Sequence, residues 1–188
     1  MSKSALLVMD VQNAIVGNID KAEEYIARIK EAVEAAHHFK IPVIFIVVGF
    51  RKGYPEINPN NKMFKAISER FSENSMEQTS SGSQPVIKPQ ENDLVIAKKR
   101  ISAFAGSDLE MILNAQGINE LILCGISTSG VVLSTLRYAA DKDYKITVLA
   151  DGCADHDDEV NRVLLEKVFP RQAEVMTINE WQKLIKDK

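Results

Sequence analysis

The sequence predicts an α/β fold, a parallel sheet with helices on both faces. Short apolar runs alternate with stretches whose apolar residues recur every three or four positions. The runs are continuously apolar rather than alternating, as expected of strands buried on both sides. Turn formers and helix-capping residues punctuate them in order.

The first strand is SALLVM, residues 4 to 9. Asp20 with Glu23 has the spacing of a capping box, and the helix behind it carries Ile26, Ile29, Val33 and Ala36 on one face to about Phe39. Pro42 opens a second strand, VIFIVV, residues 43 to 48. Residues 49 to 61 (GFRKGYPEINPNN) read as a long loop at a strand end. A short helix is expected around residues 62 to 71. Residues 72 to 85 (SENSMEQTSSGSQP) are polar and read as a surface excursion, a candidate lid or contact segment.

The third strand is DLVIAKKR, residues 93 to 100. Ser107 with Glu110 opens a helix that stops near Gln116, with Gly117 in the position after the cap. A strand at 121 to 124 leads through Gly125 into a helix from about 129 to 141. Its apolar face is Val131, Leu133, Leu136 and Ala139. KITVLA, residues 145 to 150, is the fifth strand. A helix follows from about 157 to 168, then a short strand at 173 to 178. The tail NEWQKLIKDK reads as a helix that packs through Trp181, Leu184 and Ile185.

The chain has 188 residues, 45% of them hydrophobic and 26% charged, with a formal net charge of −3. That length is expected to form one domain, residues 1–188. The charge does not favour non-specific nucleic-acid binding. No apolar run approaches the ~20 residues that cross a bilayer. The opening MSKSALLVMD reaches a carboxylate too soon for a secretory leader. Two cysteines, Cys124 and Cys153, make no disulfide framework. A cytoplasmic location is the expectation.

In a doubly wound sheet, ligands bind beyond the carboxyl ends of the strands, where strand order reverses. That rule draws Asp10, the Phe50 loop, Lys98, the 125–131 turn and the 151–157 loop to one rim. Asp10 follows a buried strand, where a carboxylate can have a shifted pKa and serve as general acid or base. Capping or anchoring a loop is the alternative use. Lys98, beside Lys99 and Arg100, could hold an anion or orient Asp10, although such a run is often a solvated edge. The LILCGISTSGVVLSTLRYAAD stretch runs from strand to helix through small and hydroxyl residues, which presents backbone N–H groups to an anion or oxyanion.

LLVMDVQN, KKRISAF with GSDLEMIL, LILCGISTSGVVLSTLRYAAD and ITVLADGCAD occur in that order. With their spacings, they resemble the isochorismatase-like (cysteine hydrolase) superfamily, which includes nicotinamidases, N-carbamoylsarcosine amidases and isochorismatases. The resemblance covers almost the whole chain. It implies a three-layer, Rossmann-like fold with six parallel strands in the order 3-2-1-4-5-6, and dimers or larger homo-oligomers. It implies a catalytic aspartate at Asp10 and a catalytic lysine at Lys98, four residues before the Ser102–Ala103–Phe104 element. It places the Gly-x-x-Thr turn at Gly125 to Thr128, with a non-proline cis peptide at Ile126–Ser127. Gln12, Phe50, Arg51, Phe104, Ile126, Ser127 and Thr128 are the expected substrate-binding residues.

The sequence then departs from the family. The nucleophilic cysteine belongs three residues after the turn threonine, and that position is Val131. Valine has no nucleophilic atom, so a thioester mechanism cannot run there. The Asp-x-His pattern of the metal-binding nicotinamidases is absent from residues 49 to 61. No metal and no cofactor are expected. Cys153 lies on the same rim, but Asp151, Asp155, Asp157 and Asp158 surround it and disfavour a thiolate. Ser127 or Ser129 could pair with Lys98, but hydroxyls there more often cap the next helix. His156 reads as part of a helix start, and His37 and His38 suit a helix C-terminus.

The expected activity is hydrolysis of a small molecule without the cysteine, with Asp10 as general acid or base beside Lys98. The bond is a vinyl ether, amide or ester, and Arg51 could bind a substrate carboxylate. The alternatives are a non-catalytic ligand- or partner-binding member of the fold, or an amidase using Cys153 or a serine.

Overall fold

The computed structural model describes residues 3–17, 19, 21–70 and 76–186. Its centre is one six-stranded parallel sheet of order β3-β2-β1-β4-β5-β6. The strands are β1 (Ser4–Met9), β2 (Val43–Val48), β3 (Leu94–Lys98), β4 (Glu120–Ile126), β5 (Lys145–Ala154) and β6 (Glu174–Met176). This is the expected order, and the strand order reverses between β1 and β4.

Side chains of β1 alternate between two cores, because successive strand residues face opposite sides. Leu6 and Val8 join Phe45, Ile122 and Cys124 under helix α2 (Ala22–His38) and the terminal helix α7 (Ile178–Lys186). Leu7 and Met9 join Ile44, Ile46 and Leu123 under α4 (Leu109–Gln116) and α5 (Leu133–Asp141). The sheet is therefore the middle of three layers. The remaining α-helices are α1 (Asn13–Val16), α3 (Lys62–Arg70) and α6 (Asp158–Val163). No helix among the described residues is long and apolar enough to cross a membrane.

Several boundaries differ from expectation for local reasons. Asp20, the expected cap of α2, lies outside the described residues, and Lys21 precedes the helix in a left-handed conformation. The face of α2 is Tyr25, Ile29, Ala32, Val33 and Ala36, with Ile26 only partly buried. Asp108, not Ser107, is the residue before α4, although Ser107 Oγ still accepts from the Leu109 N–H. Gly117 ends α4 at φ +66°, as its position suggested. A π-helical turn, Thr128–Val132, precedes α5. The helix expected from 157 to 168 is α6 followed by a π-helical turn, Leu164–Val168. In α7, Trp181 and Ile178 are buried, but Leu184 is exposed.

The largest difference is in β5. The strand continues to Ala154, so Cys153 is a strand residue rather than a loop residue. Pairing with β4 jumps from Leu123↔Val148 to Gly125↔Cys153. The irregularity leaves Asp151 free to accept the Ile178 N–H at 2.7 Å, which anchors the start of α7.

Gly125 permits β1 and β4 to meet closely. Its φ is +153°, and a Cβ there would stand 2.3 Å from the Met9 carbonyl oxygen. An alanine must both strain and displace the backbone. Gly125→Ala is expected to cost about 3 kcal/mol or more, lowering the melting temperature by roughly 6–12 °C in a thermal unfolding scan. A melting temperature within 2 °C of the wild type, on the scale of about 1 kcal/mol, would contradict this packing.

Candidate active site

Asp10 is the first residue beyond β1. Its backbone is left-handed, φ +58°, which aspartate tolerates better than most residues. Its N–H donates to the Ile46 carbonyl at 2.8 Å, so the turn is pinned to β2. Lys98 ends β3 and shares the buried face of that strand with Ile96, while Val95 faces outward and is exposed. Lys98 Nζ lies 2.9 Å from Asp10 Oδ2 and donates to the Arg100 carbonyl at 3.0 Å. Asp10 is 6% exposed and Lys98 1%.

Burial dominates the ionisation of Asp10. It raises the carboxyl pKa to about 6, against the lowering effect of the Lys98 charge and hydrogen bond. Asp10 Oδ1 is buried and has no hydrogen-bond partner among the described residues. One carboxylate oxygen is thus fixed by an ammonium, and the other is uncommitted. Such a group can transfer a proton.

Asp10 and Lys98 line a cavity of about 330 Å³ with Ile126, Ser127, Gly130 and Val131. The Ile126–Ser127 peptide is cis. The rest of the lining is mainly apolar: Ile15, Val48, Met63, Phe64, Ile67, Met76 and Ile101, with His156 at an exposed edge. The N–H of Ser129 donates to Asp155 Oδ2 at 2.7 Å, and those of Gly130 and Val132 to the Ser127 carbonyl. Any oxyanion contact is narrowed to the other N–H groups of the turn.

Five of the expected residues therefore meet at this cavity: Asp10, Lys98, Ile126, Ser127 and Val131. Five others lie elsewhere. Gln12 is fully buried, and its amide bonds the backbone of Val48 and the Gly82 carbonyl. Phe50 is buried behind the lining, edge-on to Phe64 and Tyr54. Arg51 is exposed and paired with Glu56 at 2.7 Å. Phe104 stacks on Tyr138. The hydroxyl of buried Thr128 donates to Asn161 Oδ1 at 2.6 Å.

The wall formed by α3, Met76 and Ile101 was not expected, whereas His156 belongs to the 151–157 loop expected at the rim. Met63 and Ile67, four residues apart on one helix face, were a usable signal. Met76 had none. It lies in the polar 72–85 stretch yet is buried, with its carbonyl accepting the Phe50 N–H at 3.0 Å. That stretch is docked from Met76 onward, and residues 72–75 lie outside the described ones.

Cys153 does not line this cavity. Its thiol is buried and pushed up to about 12, chiefly by burial, with the Asp151 charge adding and a Gly125 backbone hydrogen bond opposing. Cys124 is buried too. Among the described residues, no three His, Cys, Asp or Glu side chains converge in a way that could hold a metal ion.

The doubly wound parallel sheet has the strand order that the sequence resemblance implied, with the buried Asp10–Lys98 pair at the carboxyl ends of its strands. Residues 4–180 match the isochorismatase domain family, and the chain belongs to that family of hydrolases. The YwoC protein of Bacillus subtilis (strain 168), an isochorismatase family protein, is 28% identical over 98% of this chain and 95% of its own. The ureidoacrylate amidohydrolase RutB of Stutzerimonas stutzeri (strain A1501) is 33% identical over 80% of this chain and 69% of its own. The crystal structure of N-carbamoylsarcosine amidase from Thermoplasma acidophilum superposes with a TM-score of 0.76 at 26% identity, covering 94% of this chain and 97% of the other.

Lys98 opposes the effect of burial on Asp10. Replacing it with methionine, which keeps the length without the charge, removes both lowering influences, so the Asp10 pKa must move above 6. Carbon-detected NMR titration of the Asp10 carboxyl should give a midpoint near 6 in the wild type and a higher one in Lys98→Met. An unchanged midpoint would mean that the pair is not formed in solution.

Proposed function

We propose that this protein hydrolyses a small molecule without a covalent thiol intermediate, with Asp10 as the proton-transfer residue, Lys98 as its electrostatic partner and water as the nucleophile. The observation that carries this reading is the uncommitted Asp10 Oδ1 at the cavity wall, beside a carboxyl raised to about 6. Val131 lines the same cavity and offers no nucleophilic atom, so the attacking oxygen is assigned to a water in the cavity beside Asp10 Oδ1.

In the ionised form, Asp10 takes a proton from the water as its oxygen adds to the acyl carbon of an amide or ester. The tetrahedral oxyanion faces the 126–131 turn. The protonated Asp10 then gives the proton to the departing nitrogen or oxygen, the C–N or C–O bond breaks, and the carboxylate is restored. The amidohydrolase and amidase relatives support a C–N bond over a vinyl ether. An amidase route through Cys153 is disfavoured by the thiol's burial and its position outside the cavity.

The test is product formation from a panel of small carboxamides, esters and isochorismate. Asp10→Asn should lower kcat/KM about 10²–10⁴-fold. Because the base must be ionised, wild-type kcat/KM should fall as pH drops below about 6. Iodoacetamide should leave turnover intact, since neither cysteine is an exposed thiolate. Loss of activity on alkylation, or an Asp10→Asn variant within threefold of wild type, would sink the reading. A well-folded chain without turnover on any substrate would favour a ligand-binding member of the family.

A further inference from the structure

We propose that the Asp10 cavity selects an uncharged, largely apolar small molecule and discriminates against one that carries a carboxylate. The inference rests on the reading that this cavity is the substrate site, and it adds what that substrate must look like.

Among the described residues lining the cavity, Lys98 is the one lysine or arginine. Its ammonium is already committed to Asp10 Oδ2 and to the Arg100 carbonyl. Three protons on the nitrogen leave one for a neutral acceptor such as a carbonyl oxygen. The positive charge itself is matched by Asp10. A substrate carboxylate entering the cavity would therefore meet a second carboxylate in a low-dielectric wall, with no spare lysine or arginine among the described lining residues to offset its desolvation.

Among the described side chains, the cations nearest in sequence to the lining do not supply one. Arg51 is exposed and held by Glu56, and Lys99 and Arg100 border a different surface groove with Glu56 and Asn58. His156 stands at the exposed edge, where water competes for its hydrogen bonds. The remaining surface favours apolar matter: Ile15, Val48, Phe64, Ile67, Ile101 and Val131 face the space. A polar ligand group buried against them without a partner is penalised. About 330 Å³ lies at the small end of ligand cavities, which limits the occupant to a small molecule.

Isosteric probes separate charge from shape. Phenylacetamide and phenylacetate are titrated by calorimetry at pH 8 into wild type, Asp10→Asn and Met63→Lys. Wild type should bind the amide about tenfold or more tightly than the carboxylate. Asp10→Asn frees the Lys98 charge, so the gap should close or reverse. Met63 is 42% exposed at the cavity rim, so Met63→Lys adds a cation without disturbing the core, and the gap should narrow. Equal or tighter binding of phenylacetate by wild type overturns the inference. So does a gap unchanged in both variants, or the absence of saturable binding by either probe. Binding is read apart from turnover. An amide preference without any hydrolysis defeats the proposed chemistry and leaves this inference standing; efficient hydrolysis of a carboxylate substrate does the reverse.

Discussion

The Asp10–Lys98 ion pair depends on the order of the strands. Lys98 ends β3 and Asp10 follows β1, but β2 lies between them. Adjacent strands are about 4.8 Å apart, so the two backbones are separated by roughly 9–10 Å. Only a long side chain laid over the end of β2 can close that distance. Lysine does so while keeping its stem among apolar neighbours. The contact therefore requires the sheet order, the register that sets Lys98 against Val48, and the left-handed turn at Asp10 all at once. Burying two charges is costly unless they are paired, and here each answers the other.

The pair also divides the work of the carboxylate. One oxygen is restrained and the other is left without a partner in an apolar chamber. Val131 completes that chamber with a branched hydrocarbon side chain. Val131 also packs into the same core cluster as Leu123 and Leu136, so it belongs to the core as well as to the cavity wall.

Much of this was legible in the residues. Buried parallel strands are continuously apolar, so LLVM, VIFIVV and LILC announced themselves, and Gly117 marked a helix end by its tolerance of positive φ. Asp10 and Lys98 could be placed at a rim because strand ends are readable. Direction and reach were not. Gln12 and Arg51 both looked like ligand contacts, yet one turns inward to brace backbone and the other pairs with a glutamate five residues on. Phe104 found Tyr138, a partner 34 positions away that no local pattern reveals. Cys153 entered the sheet through an irregularity in register, which depends on two strands together. Met76 was hidden by its polar surroundings, since a single docked side chain has no periodicity.

The amide of Gln12 joins three separate stretches of chain: its own turn after β1, the end of β2 at Val48, and the segment at Gly82. Each bond is made to backbone, so none depends on a neighbour's side chain. The consequence is that the Val48 side of the chamber is braced by folding itself. A ligand entering it does not have to organise that side, and the entropy such ordering would otherwise consume has already been spent in folding.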